Sequence, residues 1–522
     1  MIEVRRALLS AFHKEGLEDL AAALREVGAE ILSTGGTYRW LVERGFAVTS
    51  LEEWADLPSL FGGRVKTLHP KVHGGILFRR GDAQDEQERR AFGIEPIDLV
   101  AIDLYPFAET ARRQAEDDGA VIEMIDVGGP AMLRAAAKNH RSVAVLSDRT
   151  DFARIAQTLR ANRGRLSRDL LRELAAKAFR TTGCYDATIA AYLGAAGTAD
   201  ELPDLLLRAE PLLWRLRYGE NPSQRGAYYG SLDSFPGNLV KLQGKEISFN
   251  NLQDLDVGVT LVRSLGPSPA AVVIKHATPC GAAVGETVLE AYRKARDADS
   301  LSAFGGIVVV NGTVHRECAE ELAKSFLEVV VAPKFNEEAR AVLERKKNLR
   351  LLEGDLLPAP AGSGSRVVFS FRGLGHGILL QDSMPEQLGE NNWRTVTKRT
   401  PTKEETEELL FCWKVVRMVR SNAIVLSRAH AVLGIGGGQT SRIDALWIAI
   451  HKAQREGHDL AGSVMASDAF FPFSDCVEEA GKVGVRAIIQ PGGSMRDADS
   501  VDAADRFGIA MVVNEARCFR HG

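Results

Sequence analysis

The sequence predicts an α/β protein of more than one domain, and three observations predict it. The chain has 522 residues, beyond the size at which a single hydrophobic core keeps growing. Its apolar fraction of 45% suffices for ordinary buried cores. Strand-length apolar runs alternate with helix-length amphipathic stretches, as in parallel sheets with crossover helices.

In chain order, residues 7–10 read as a strand, 17–27 as an amphipathic helix, 29–32 as a strand and 37–44 as a helix. A buried strand at 97–104, a helix at 131–139 and a strand at 142–146 continue the alternation. After a helical stretch over 167–193, the small residues 194–199 suit a linker, so a boundary is expected near residue 200. Downstream, buried strands are expected at 270–274, 306–310, 367–371, 423–426, 431–435, 487–489 and 510–513. A second loop at 358–365 suggests two α/β units meeting near residue 375, and no short repeat period is visible.

A formal net charge of −4 removes any general electrostatic case for nucleic-acid or acidic-membrane binding. The six cysteines form no CxxC pair and read as reduced thiols of a cytoplasmic protein. Residues 1–6 lack signal-peptide features, and no apolar run reaches the ~20 residues of a bilayer span.

Local chemistry points to anions. Between Gly62-Gly63 and Gly74-Gly75, ten residues carry Arg64, Lys66, Lys71, His69 and His73, and Pro70 argues against an ordinary helix face. No metal is expected there, because Pro70 separates the two histidines and no Glu follows the first. Ser33, Thr34, Gly35, Gly36 and Thr37 follow a strand and open a helix, whose N-terminus favours phosphate. With Ser10, Lys14, Arg64, Lys66 and Thr67 they make a cradle for phosphate and ribose. Asp103 and Tyr105 stand past a buried strand, where parallel sheets bind ligands, and Asp126, Gly128 and Gly129 lead into the helix carrying Lys138. Taken singly, each has a blander reading: helix capping, a packed phenol, a solvated lysine.

Residues 62–73, 104–107 and 126–140 together resemble the N-terminal half of the bifunctional AICAR transformylase/IMP cyclohydrolase family of purine biosynthesis. The resemblance continues through 216–222, 275–281, 302–306, 467–473 and 517–521, and so spans the chain. It implies a methylglyoxal-synthase-like parallel-sheet domain over 1–195. A duplicated cytidine-deaminase-like α/β transformylase region would follow, with units at 200–375 and 376–522. It also implies a homodimer with composite transformylase sites, small-molecule nucleotide substrates, and 10-formyltetrahydrofolate as co-substrate. The zinc-deaminase signature is absent, so deaminase chemistry is not implied.

By the same resemblance, Lys275 and His276 serve formyl transfer to the 5-amino group of AICAR, a poor nucleophile that needs a base. Arg217 is implied for AICAR's phosphate, and Asn422 for the carboxamide or formyl group. Arg442 is implied for folate or substrate, since the 434–442 loop lacks the last glycine of a dinucleotide fingerprint. Tyr218, Asn251, Phe304, Gly305, Phe470, Asp475, Arg517 and His521 complete the implied substrate set. For cyclisation, Lys66 and Lys138 would stabilise charge, Tyr105 would relay a proton and Asp126 would orient or deprotonate the attacking amide. His69 and His73 are left to packing and loop geometry.

Three positions depart from the family pattern. Asp103 stands where Asn is common, residues 10–14 replace a loop commonly richer in hydroxyls, and Ser223 stands where some members carry His. Two other functions compete: a methylglyoxal-synthase-like lyase acting on a phosphosugar, and a non-catalytic nucleotide sensor. The first leaves the second half of the chain unexplained; the second needs neither Lys275-His276 nor Tyr105 with Lys138.

Overall fold

Runs of Val, Leu, Ile and Ala without polar alternation can be buried on both faces, and residues 1–210 use them for a five-stranded parallel sheet. Its strands are β1 (Arg6–Ala11), β2 (Glu30–Ser33), β3 (Thr49–Ser50), β4 (Leu99–Asp103) and β5 (Ala144–Leu146), in the order β3-β2-β1-β4-β5. Leu8, Leu9, Val100 and Val145 are fully buried, each such Leu contributing about 1.5–3 kcal/mol. The computed structural model describes the chain except residues 57, 59, 62–63, 114–116, 195–201, 231–234, 357–368, 386 and 522. Met1–Glu210 and Pro211–Gly522 are its two compact units. Gly62, Gly63, the linker residues 195–199 and the loop at 358–365 lie outside the described residues.

The crossover helices include α1 (Leu17–Glu26), α2 (Gly35–Glu43), α3 (Pro70–Leu77), α4 (Gly128–Lys138) and α5 (Arg168–Gly194). Helix α3 corrects the reading that Pro70 keeps this stretch from forming a helix face. Pro70 is the first helical residue, where its missing N–H costs nothing, and His69 caps the helix by accepting the Lys71 N–H at Nδ1. Val72 and Ile76 bury the inner face of α3.

In residues 211–522 a twelve-stranded sheet forms, and its strands and helices come in two similar series. The first comprises β6 (Val240–Gln243), α6 (Phe249–Ser264), β7 (Ala270–Lys275), β8 (Thr278–Val284), α7 (Val288–Asp297), β9 (Ile307–Val310), α8 (Arg316–Lys324), β10 (Val329–Ala332), α9 (Glu337–Leu343) and β11 (Arg350–Glu353). The second comprises β12 (Arg394–Thr395), α10 (Lys403–Val416), β13 (Ile424–Arg428), β14 (Ala431–Gly436), α11 (Arg442–Arg455), β15 (Val464–Ser467), α12 (Asp475–Lys482), β16 (Ala487–Gln490), α13 (Asp497–Phe507) and β17 (Ala510–Val513). The strand order is β6-β11-β10-β9-β7-β8-β14-β13-β15-β16-β17-β12. Each series thus contributes six strands, an antiparallel hairpin and four others, with helices between them, and the hairpins meet where Ala283 pairs with Ala431.

Side chains alternate between faces with period two. Val272 and Ile274 join the core formed with Leu255 of α6 and Trp413 of α10, while Ala271 and Val273 face the core containing Tyr292 of α7. One expectation fails here. The described part of the 367–371 run belongs to Phe369–Leu374, which pairs only with Gly377–Asp382 and is largely exposed, so it is not a buried strand of the main sheet.

Two candidate active sites

In the first unit the C-terminal ends of β1, β2 and β4 bring the cradle residues together. Thr37 Oγ1 accepts the Ala11 N–H at 3.1 Å and donates to the Ala11 carbonyl at 3.0 Å. Lys14 Nζ donates to the Ala11 carbonyl and to Thr37 Oγ1, and burial lowers its pKa against the raising charges of Asp103 and Glu15. The Ser33 hydroxyl is spent on the Leu9 carbonyl at 2.7 Å, and Ser10 sits half-buried on β1. Ser33 therefore shapes the cradle rather than lining it.

The cationic segment crosses two helix N-termini. A Cβ on Gly35, at the start of α2, would collide with Lys66 Nζ, and one on Gly128, at the start of α4, would collide with Thr67 Oγ1. Gly36 has open space beside it. Lys66 also faces Glu52, which accepts from Thr34 Oγ1 at 2.6 Å and Ser50 Oγ at 2.9 Å. Burial opposes the charge of Glu52, but these bonds and Lys66 bring its pKa down overall. One ammonium and two positive helix ends therefore converge, an arrangement that favours an anion. Arg64 points instead to an exposed ion pair with Glu123.

Beside this cradle stand Asp126 and Tyr105. Asp126 Oδ1 accepts the Gly129 N–H at 2.7 Å, and burial raises its pKa although backbone bonds from Gly129 and Tyr105 pull it down. Burial, then the charge of Asp126, raises the pKa of Tyr105. Lys138 lies in the last turn of α4, about 15 Å along the helix from Gly128. It is not brought to this group. Two of the departures prove to be partners: Asp103 Oδ2 accepts both the His13 backbone N–H at 2.8 Å and His13 Nδ1 at 2.9 Å. His73 is half-buried, and that desolvation lowers its pKa.

In the second unit the strand register places Lys275, Gly436, Asn422 and Ser467 along one sheet edge. Lys275 Nζ donates to the Phe304 carbonyl at 2.7 Å. His276 and Ala277 form the β7–β8 turn, both at φ 55°. Phe304 is 60% exposed and Gly305 donates to the Phe326 carbonyl at 2.7 Å, so a ring is presented beside Lys275. Asn251 is buried as the N3 residue of a capping box on α6, and its Nδ2 donates to Glu328 at 2.9 Å.

Three strand spacings away, about 14 Å, stands a second cluster. Arg442 is buried, not free for a ligand: it pairs with Asp468 and donates to Ser467 Oγ at 2.9 Å and to Asn422 Oδ1 at 2.7 Å. Asn422 Nδ2 donates to the Gln439 carbonyl at 3.0 Å. Phe470 is partly exposed, and Asp475 opens α12. Arg517 stacks 4.7 Å from the Phe519 ring, the His521 carbonyl accepts from Arg372 at 2.5 Å, and Arg217 lies exposed 5.5 Å from the Tyr218 ring. Sequence reasoning missed Asp254, Glu328, Ser421 and Asp468, because carboxylates and hydroxyls within helical or strand-end stretches carry no local signal.

No helix among the described residues is long and apolar enough to cross a membrane. A family model described as "AICARFT/IMPCHase bienzyme" matches residues 136–452, and one described as "MGS-like domain" matches residues 16–131. A relative from Magnetococcus marinus, named bifunctional purine biosynthesis protein PurH, is 44% identical over 536 residues, covering 100% of both chains. Its namesake from Anaeromyxobacter sp. is 47% identical, covering 99% of this chain and 100% of the relative. That from Parasynechococcus marenigrum is 46% identical, covering 99% of each.

Proposed function

The chain belongs to the AICARFT/IMPCHase bienzyme family, and from that membership we propose how its two units divide the work. It is a bifunctional enzyme of purine biosynthesis, an AICAR transformylase that uses 10-formyltetrahydrofolate and an IMP cyclohydrolase. Pro211–Gly522 performs the transfer and Met1–Glu210 the cyclisation. The observation that carries this division is that Lys275 and His276 end a strand of one unit while Lys66, Tyr105 and Asp126 gather at the strand ends of the other.

In transfer, the AICAR amine attacks the formyl carbon while His276 takes its proton. Lys275 stabilises the tetrahedral oxyanion, and the C–N bond to the folate breaks as that nitrogen is protonated, leaving FAICAR and tetrahydrofolate. Arg217 holds phosphate. Arg442 acts through Asn422, whose carboxamide it orients. In cyclisation, the FAICAR carboxamide nitrogen attacks the formyl carbon and water departs. Lys66 stabilises the developing charge, Asp126 orients or deprotonates the amide, and Tyr105 relays a proton.

From the family membership we infer a homodimer whose transformylase sites draw on both subunits. Sedimentation at the mass of one chain would remove that reading. The free cysteines support a cytoplasmic location, which cell fractionation tests. The division of labour is tested by mixing the protein with AICAR and 10-formyltetrahydrofolate and following tetrahydrofolate and IMP separately. His276→Ala abolishes transfer and spares cyclisation of supplied FAICAR, and Lys66→Ala does the reverse. Loss of the same step in both variants refutes it.

A further inference from the structure

We propose that Asp254 is a positioning residue for formyl transfer, clamping the His276–Ala277 turn in the left-handed backbone conformation that presents the imidazole. The proposal rests on the reading of Lys275 and His276 as the transfer site. Two consecutive residues with a Cβ at φ 55° are unfavourable, and two-residue hairpin turns of this kind favour Asn-Gly. Neither residue here is glycine, so something outside the turn must hold it.

Asp254, on α6, supplies that hold: its Oδ1 accepts the Ala277 N–H at 2.5 Å. Its acidic neighbour is engaged elsewhere. Glu328 accepts from Asn251 at 2.9 Å and lies 3.6 Å from Arg350, which leaves Asp254 to the turn. Burial raises the pKa of Asp254 and the charge of His276 opposes the rise, placing carboxylate and imidazole within electrostatic reach.

The second series of the fold repeats the device independently. Ala429 and His430 form the β13–β14 turn at φ 55° and 52°, and Glu408 on α10 accepts the His430 N–H at 2.6 Å. The preceding cation repeats too: Arg428 donates to the Ala461 carbonyl at 2.6 Å, as Lys275 does to that of Phe304. One position breaks the correspondence. The first turn residue is His276 in one copy and Ala429 in the other, while the imidazole of His430 sits 3.8 Å from Glu408 and 5.9 Å from the Phe411 ring. The clamp is common to both copies, but only Asp254 clamps a turn whose leading residue is a base.

The full-length chain tests this, with transfer read as tetrahydrofolate release and cyclisation read on supplied FAICAR. Asp254→Ala lowers kcat for transfer by about tenfold or more, leaves KM for AICAR within about threefold and leaves cyclisation unchanged. Asp254→Asn, which still offers an acceptor oxygen, stays within about threefold of the parent. Ala277→Gly in the Asp254→Ala background restores transfer, because glycine holds the turn without a clamp. An unchanged kcat in Asp254→Ala overturns the proposal, as does a loss that Ala277→Gly does not relieve. If Asp254→Ala does not fold, Asp254→Asn decides: its loss of transfer would show that charge, not the accepted hydrogen bond, matters. A parent protein that releases no tetrahydrofolate overturns the transfer reading itself; normal parent turnover with an unaffected Asp254→Ala overturns this assignment alone.

Discussion

Replacing Asp468 by Leu removes the partner of a buried cation. The Arg442 and Asp468 side chains are 6% and 0% exposed, so the guanidinium cannot regain water when the carboxylate goes. Breaking such a pair from one side costs about 3–5 kcal/mol, and the Ser421 hydroxyl, which also donates to Asp468, adds about 1 kcal/mol. The second unit should therefore lose about 4–6 kcal/mol, roughly three to four powers of ten in its folding equilibrium. The damage also spreads locally. The Asp468 backbone carbonyl keeps the Cys518 N–H at 3.1 Å, but the Ser421 hydroxyl, which accepts the Arg520 N–H at 3.0 Å, loses its own acceptor, so the segment bearing Arg517 and His521 is loosened at that one point. The assay is reversible urea unfolding followed by tryptophan fluorescence, to which the second unit contributes Trp214, Trp393, Trp413 and Trp447. Cyclisation of FAICAR serves as internal control. Adding Arg442→Met to Asp468→Leu removes the unpaired charge and should recover much of the loss. A cost below about 1 kcal/mol for the single variant, or additive costs in the double, refutes the reasoning.

Two further predictions concern the cyclisation site. Burial raises the pKa of Asp126, and on the proposed role its carboxylate is the working form, so cyclisation is intact above that raised pKa and falls as pH drops through it. The acid limb of kcat/KM therefore lies above the ordinary carboxylate range. A limb that persists in Asp126→Asn excludes Asp126 as its source. The exposed Arg64–Glu123 pair adds little to stability but occupies the cation assigned to phosphate. Glu123→Gln should lower KM for FAICAR severalfold at unchanged kcat, and an unchanged KM removes Arg64 from the phosphate site.

What could be read before the fold was known follows from which signals are local. The strands β1, β4, β7, β13 and β14 are each built around three or more consecutive apolar residues, so their sequence shows them directly. Edge strand β3 has two residues and offers no run, and Pro70 misleads because its effect depends on whether it falls at the first helical position or deeper. Lys66, Gly35 and Gly128 were legible because glycine and lysine beside strand ends already imply an anion. Arg442 was not: an arginine opening a helix looks like a ligand contact until Asp468, 26 residues away, is seen to neutralise it.

Duplication in the second unit was invisible to any short-period search because Lys275 and Arg428 stand 153 residues apart and their turns share backbone, not sequence. A left-handed turn normally announces itself through glycine or asparagine. Here His276-Ala277 and Ala429-His430 carry no such mark, because the conformation is enforced from the preceding helix by Asp254 and Glu408. Supplying the constraint from outside frees the turn residues to be chosen for chemistry. That freedom lets one copy of the hairpin lead with His276, the base of the proposed transfer, while the other, under the same clamp, leads with alanine.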